Sequence, residues 1–289
     1  MKIYFLASEI TPFSQTSFLA TFCKNVPIKL QQYGHDIRLT SPKYGYISER
    51  KYTLREVIRL REIESEIGGV TEVASAKSAF IPKTRVQVYF MEHADWFQPL
   101  TTLLYKSKNG RALSDNDDRF GFYSKIALEM LVNLFWSPDI IICNDWQSSF
   151  VPILYKQLFA NQEFYKDIKT VQLIHTIDEY TKVSKSSFEK LGVELPKEFA
   201  GDVLNCLSVA ATNADLVIAV DGPNSKISKE LSSHADFKPH IAGIKKKLKT
   251  INLKNEDEAS VESTADGINK ILQEAFGSAL VFQFNFHQF

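Results

Sequence analysis

The chain has 289 residues, of which 44% are hydrophobic and 24% charged, the balance of a folded globular protein. Its 34 Lys and Arg equal its 34 Asp and Glu, so the formal charge is zero. That excludes a sequence-independent nucleic-acid binder and electrostatic capture by an anionic membrane, both of which need an excess of cations.

No apolar stretch reaches the ~20 residues that span a bilayer. The start, MKIYFLASEI, lacks the long apolar core and small-residue cleavage site of a secretory signal. Cys23, Cys143 and Cys206 are odd in number and far apart, as buried thiols in a reducing compartment are, so a cytoplasmic protein is expected.

Lys2 to Ala7 reads as a buried parallel strand, followed by the loop Ser8-Glu9-Ile10-Thr11-Pro12. Leu19, Phe22, Cys23, Val26 and Leu30 have helical spacing despite Pro27, and Gly34 supplies a left-handed stop. Asp36 to Thr40 is a second strand. This strand, helix, strand succession is the rhythm of a parallel sheet covered by helices. The stretch 54–61 fits strand or helix, Gly68-Gly69 is a turn, and Arg85 to Glu92 is a strand by its Val, Tyr and Phe content. A long helix is expected over Asp115 to Phe135, opened by acidic residues that suit its positive end. Asp139 to Cys143 and Lys169 to Ile174 read as buried strands, separated by a helix over Gln147 to Leu158. A helix over Gly201 to Ala211, a strand over Asp215 to Val220 and a helix over Asn224 to Leu231 follow. Beyond residue 235 the rhythm fades into a solvated helix face at KKKLK (245–249), a helix over Thr264 to Phe276 and an apolar, strand-like tail over Ala279 to Phe286.

The fold class is therefore α/β: one Rossmann-like, doubly wound, mostly parallel sheet over residues 1–235, with residues 236–289 as an extension packing on the same domain. In such sheets ligands sit outside the carboxyl ends of the strands. The rule selects the loops Glu9–Ser17, His93–Trp96, Asn144–Gln147, His175–Tyr180 and Asp221–Asn224. Asp145, after one strand, can accept sugar hydroxyls or cap the next helix, with Trp146 in the core. His175, after the next, can bind a ligand or serve structure alone; the two can converge on one crevice. Glu9 holds the same position after the first strand. There is no phosphate-cradling glycine loop, no C-x-x-C, no H-E-x-x-H and no G-x-S-x-G, so neither a metal nor a cofactor is expected.

Seven blocks carry a resemblance: MKIYFLASEITPF, YGHDIRLTSPKYG, VYFMEHADWF, DNDDRFGFYSKIALE, SPDIIICNDWQSSFVPILYK, VQLIHTIDEY and NADLVIAV. In order and spacing the chain resembles the N-terminal domain of bacterial glycogen synthases and plant starch synthases, retaining glycosyltransferases of the GT-B fold. The resemblance implies an acceptor-binding domain for α-glucan or maltooligosaccharide, facing a second domain that holds ADP-glucose. Nothing after residue 235 resembles that donor domain, so a separate subunit is expected to supply it, and the chain alone is expected to be inactive or nearly so.

The resemblance further implies that Asp145 and His175 support an oxocarbenium-like transition state at the sugar. It makes Glu9, Gln15, Thr16, Ser17, Asn144 and Trp146 substrate-binding positions. Several depart from the family pattern. The family's Lys-Thr-Gly-Gly-Leu-Ala-Asp reads here Gln15-Thr16-Ser17-Phe18-Leu19-Ala20-Thr21. A phosphate-binding cation and two glycines are thereby lost. Asn144 replaces a His, Thr176 an Asn, and Ser208 a Lys. The alternative is a non-catalytic glucan-binding or regulatory protein; a third reading is an interaction module in which the face left by the donor domain meets another protein or a second copy.

Overall fold

A computed structural model describes residues 1–98 and 103–286, with side chains up to residue 277. Its strands are β1 (Lys2–Leu6), β2 (Asp36–Pro42), β3 (Arg55–Glu56), β4 (Ile63–Ile67), β5 (Val70–Phe80), β6 (Gln87–Glu92), β7 (Ile140–Asn144), β8 (Lys169–Ile174), β9 (Lys182–Ser184), β10 (Val203–Asn205), β11 (Leu216–Asp221) and β12 (Leu248–Asn252). Ten of them form one sheet in the order β12-β11-β8-β7-β1-β2-β6-β5-β3, with β4 beside β5. The pairs from β12 to β6 are parallel, and those made by β5 are antiparallel. The expected α/β class is what the chain adopts. β3 to β5 add a meander to one edge.

Strand order reverses at β1, which lies between β7 and β2. Helices on successive connections depart to opposite directions there, so the loops after β1 and β7 part and leave a crevice. The central strands are apolar on both faces: Ile3 to Leu6, Ile140 to Cys143 and Val217 to Ala219 are fully buried. Each such side chain contributes about 1.5–3 kcal/mol by leaving water.

The helix Leu19–Gln32 lies over the sheet with Leu19, Phe22, Cys23, Val26, Pro27 and Leu30 buried. Pro27 forfeits one helical hydrogen bond but buries its ring, and the helix runs through it. It ends where expected, with Gly34 at φ +85° donating its N–H to the Gln31 carbonyl at 3.0 Å. The long helix runs Asn116–Asn133. The stretch 54–61 resolves into β3 and a 3-10 turn, Ile58–Leu60.

Four expectations fail. The helix foreseen over 147–158 is three short pieces: a 3-10 turn at Trp146–Ser148, an α-turn at Val151–Leu154 and a wide π-turn at Tyr155–Phe159. The helix foreseen from Gly201 begins only at Cys206, because Val203–Asn205 pairs with β9 and Asn205 then caps Leu207 and Ser208 at 3.0 and 3.2 Å. Within KKKLK, Lys245 closes a short helix but Leu248 and Lys249 open β12, an edge strand in register with β11.

The strand-like tail is not a strand: Glu258–Phe286 is one helix. Its Val261, Ala265, Ile268 and Leu272 are fully buried at helical spacing, which sets the conformation before the alternating residues begin. Residues 287–289 of that tail lie outside the described residues. The helix is tied to the start of the chain by Tyr33 Oη donating to Asp266 and by His35 Nε2 beside Asn269 Oδ1 at 2.8 Å.

Candidate active site

The carboxyl edge of the sheet holds a cleft of about 230 Å³ whose walls come from the loops after β1, β7, β8, β11 and β12. Asp145, Trp146 and His175 line it together with Ser17, Phe18, Gly222 to Ser225, Leu253 and Glu256. The two strand-end residues singled out from the sequence thus face one space.

Asp145 does not cap the following turn. Its carboxylate is 3% exposed and turns back to the β8 loop. Oδ1 accepts the N–H groups of His175 and Thr176, each at 3.1 Å, and Oδ2 accepts the Thr176 hydroxyl at 2.7 Å. The backbone of Asp145 sits at φ +56°, ψ −164°, a region that glycine normally occupies. Holding a β-carbon there costs about 1–3 kcal/mol. Two contacts from beneath fix it: Asp145 N–H reaches the Leu173 carbonyl at 3.0 Å, and buried Gln172 Nε2 donates to the Asp145 carbonyl at 3.1 Å. Burial raises its pKa to about 7, against the opposing pull of the Thr176 hydroxyl and the two N–H groups.

His175 is half-buried, and its ring meets Phe22 edge-on, with centroids 4.6 Å apart. Its Nε2 is buried with no hydrogen-bond partner among the described residues. Burial pushes its pKa down to about 3, so the imidazole is neutral and its Nε2 can donate or accept one hydrogen bond according to the tautomer. Asp145 binds the backbone of His175 rather than its ring; the two are neighbours in a binding wall, not a proton-relay pair.

Trp146 is 2% exposed and wedged among Phe120, Tyr105 and Tyr180, at centroid distances of 5.0, 5.5 and 6.3 Å. Asn144 is fully buried and ties β7 to β1 through Nδ2 donating to the Leu6 carbonyl at 2.8 Å. Glu9 is fully buried, and its carboxylate is consumed within its own loop. It accepts the Thr16 N–H, the Thr16 hydroxyl at 3.1 Å, the Ser17 N–H at 3.3 Å and the Ser17 hydroxyl at 2.5 Å. Glu9, Thr16 and Ser17 therefore shape the loop, and of the three only Ser17 lines the cleft. Gln15 is exposed and lines a different groove. The His93–Trp96 loop does not line the cleft either.

Tyr105, Leu253 and Glu256 line the cleft and lie outside the loops selected from the sequence. Tyr105 follows no strand. It is placed by the start of the helix Asn116–Asn133, where Asn116 Nδ2 donates to the Tyr105 carbonyl at 2.8 Å and buried Arg119 donates to the Leu104 carbonyl at 3.0 Å. The signal was the Asn116–Arg119 polar cluster, readable as a cap alone. Leu253 and Glu256 follow β12, which looked like a helix face. The lining holds three carboxylates, Asp145, Asp178 and Glu256, and no Lys or Arg among the described residues.

A model of the starch synthase catalytic domain matches residues 2–235. The chain belongs to that family. Among curated relatives, the glycogen synthase of Chlorobium luteolum is 35% identical over 224 residues, covering 75% of this chain and 45% of that protein. The glycogen synthase of Chlorobaculum tepidum is 32% identical over 219 residues, with the same coverage of 75% and 45%. The chain thus spans just under half the length of the curated relatives it matches. Among solved structures, the catalytic domain of starch synthase IV from Arabidopsis thaliana, bound to ADP and acarbose, superposes with a TM-score of 0.73 at 22% identity. That match covers 87% of this chain and 51% of the other, and shows the shared GT-B-type fold.

Proposed function

We propose that this chain is the acceptor-side half of a glucosyltransferase that moves glucose from ADP-glucose to an α-1,4-glucan, and that it turns over only with a donor-binding half. The observation that carries the reading is the meeting of Asp145 and His175 in one cleft at the point where strand order reverses, in a chain of the starch synthase family. Asp145 offers a carboxylate for sugar hydroxyls and for positive charge developing at the anomeric carbon. His175 offers one neutral ring nitrogen. Trp146, with Tyr105 and Tyr180, makes the rigid wall behind them. Asn144 and Glu9 hold the strands and the loop that set the cleft's width. Three buried free thiols support a cytoplasmic setting.

The test is ADP release from ADP-glucose and glycogen. The chain alone is expected to give none above background, and adding the separately expressed C-terminal half of a glycogen synthase is expected to raise it. Robust turnover by the chain alone would overturn the need for a partner.

One observation favours a second reading, a non-catalytic glucan-binding protein. A wall with three carboxylates and no cation repels a diphosphate and suits an uncharged, hydroxyl-rich ligand. A hydrogen bond between a cation and a phosphate is worth roughly 1.5–3 kcal/mol, and no Lys or Arg among the described residues lines the cleft to supply one. This reading expects maltooligosaccharide binding that excess ADP-glucose does not displace, with no turnover under any pairing.

A further inference from the structure

The hairpin of β4 and β5 packs on the helix Asn116–Asn133, and two side chains one helical turn apart, Lys125 and Glu129, hold it there. Lys125 Nζ donates to the Glu66 carbonyl at 2.7 Å and to the Leu191 carbonyl at 3.3 Å. Glu66 lies near the end of β4, and Leu191 closes the helix Lys185–Lys190, so one ammonium joins the two elements. The turn of the hairpin is tied to the same place, through Gly68 N–H and the Lys190 carbonyl at 2.7 Å. Glu129 Oε1 accepts the hydroxyl of buried Ser65, in the middle of β4, at 3.0 Å. Its second oxygen, Oε2, is buried with no hydrogen-bond partner among the described residues.

A carboxyl group so placed has two settings. Protonated, it is neutral and makes no claim on Lys125. Ionised, it is a buried charge with one hydrogen bond, and the cation that acts on it is Lys125. Residues four apart on a helix are neighbours, about 5–6 Å between β-carbons, so side-chain rotation alone brings the ammonium to the carboxylate. An unpaired buried charge is costly, whereas Glu66 is exposed and its carbonyl can turn to water. Burial raises the pKa of Glu129 from 4.5 to about 7, so the change of setting falls near neutral pH.

The other charged groups around this helix have their own places. Glu64 and Glu66 of β4 are exposed. Arg59 lies over the Phe135 ring, 4.8 Å from its centroid, and Arg61 pairs with Glu56 at 3.0 Å. On the helix Lys185–Lys190, Glu189 is exposed, Lys185 is half-buried, and Lys190 pairs with Asp118 at 2.7 Å. Asp145 is engaged with His175 and Thr176, and Tyr165 donates to the Leu128 carbonyl at 2.9 Å.

We propose that Lys125 and Glu129 form a pH-operated clasp. With Glu129 protonated, Lys125 holds the hairpin and the end of the helix Lys185–Lys190 together; with Glu129 ionised, Lys125 turns to the carboxylate and releases both. The clasp does not depend on what the cleft binds.

Hydrogen exchange of the full chain, read by mass spectrometry at about pH 5.5 and about pH 8.5 and corrected for intrinsic rates, tests it. Segments 63–74 and 188–193 are expected to exchange about tenfold faster at the higher pH, the loss of roughly one hydrogen bond to a charged group. Glu129→Gln cannot ionise and is expected to keep the low-pH protection at both values. Lys125→Met is expected to exchange at the lower pH as the parent does at the higher. Ser65→Ala removes a hydrogen bond that favours the carboxylate, so the midpoint is expected to move to higher pH; this variant guards against a Glu129 variant that does not fold. Asp145→Asn removes the other carboxyl group that titrates near pH 7 and is expected to leave the hairpin profile as in the parent. Parent protection that does not change with pH overturns the clasp. So does pH-dependent loss in Glu129→Gln, parent-like protection in Lys125→Met, an unmoved midpoint in Ser65→Ala, or a profile flattened by Asp145→Asn.

Discussion

Two loops on the carboxyl edge of the sheet use the same device for different ends. After β1, a buried carboxylate, Glu9, gathers the N–H and hydroxyl groups of Thr16 and Ser17. After β7, a buried carboxylate, Asp145, gathers the N–H groups of His175 and Thr176 and one hydroxyl. Glu9 lines neither the cleft nor the groove beside it. Asp145 lines the cleft, its backbone is strained at φ +56°, and its pKa is raised to about 7. Both carboxylates are satisfied by donors of nearby loops, but of the two Asp145 alone combines a positive φ with a place in the cleft wall. Backbone strain, rather than burial, separates the two.

The comparison can be broken by substitution. Glu9→Ala leaves four donors without their acceptor and is expected to cost the most stability, about 3–5 kcal/mol, measured as the change in urea unfolding free energy. A loss below about 1 kcal/mol would remove Glu9 as the organiser of its loop. Asp145→Asn is expected to be smaller in stability, about 1–2 kcal/mol, because the amide oxygen still accepts the two N–H groups.

Its larger effect is on pH dependence. The folded pKa of Asp145 lies above the ordinary 3.8, so the native state binds the extra proton, and its contribution falls as pH rises from about 4 to about 7. Asp145→Asn is expected to flatten that part of the stability profile. His175 has the opposite sign. Its folded pKa is pushed from 6.5 down to about 3, so its contribution is full above pH 6.5 and falls as pH drops through that window. His175→Gln is expected to gain relative stability near pH 4 against the parent. An unchanged profile in both variants would mean that neither group titrates as buried.

A smaller effect is expected at Gly34→Ala. A β-carbon at φ +85° costs about 1 kcal/mol in thermal unfolding, with no effect on ligand binding. The smallest is expected at Lys24→Ala, where the ion pair with Glu258 spans 3.9 Å between partly exposed groups and is worth under about 0.5 kcal/mol.

Much of the sheet was legible because its central strands are continuous apolar runs bounded by Gly, Pro and Asp. Lys169 to Ile174 matches β8 at both ends for that reason. The helix ending at Gly34 was legible from glycine's tolerance of positive φ. The pairing of Asp145 with His175 followed from the strand-end rule, which needs only the order of strands. What the residues did not show was long-range. Val203–Asn205 is a strand only because β9 lies beside it, and 279–286 is helical as the continuation of a helix whose buried face is set upstream. Glu9 looked like a ligand contact because no local pattern reveals that Thr16 and Ser17 fold back onto it. Tyr105 was invisible because a helix start holds it in place, eleven residues downstream at Asn116.

The central claim is that Asp145 and His175 form one carbohydrate-binding wall. Titrating the isotope-labelled chain with maltoheptaose and following the His175 imidazole by NMR tests it most directly. The account predicts a saturable shift of the His175 ring signals, lost in Asp145→Ala at a pH where that variant is folded. A His175 signal that stays fixed while maltoheptaose binds elsewhere on the chain would contradict it.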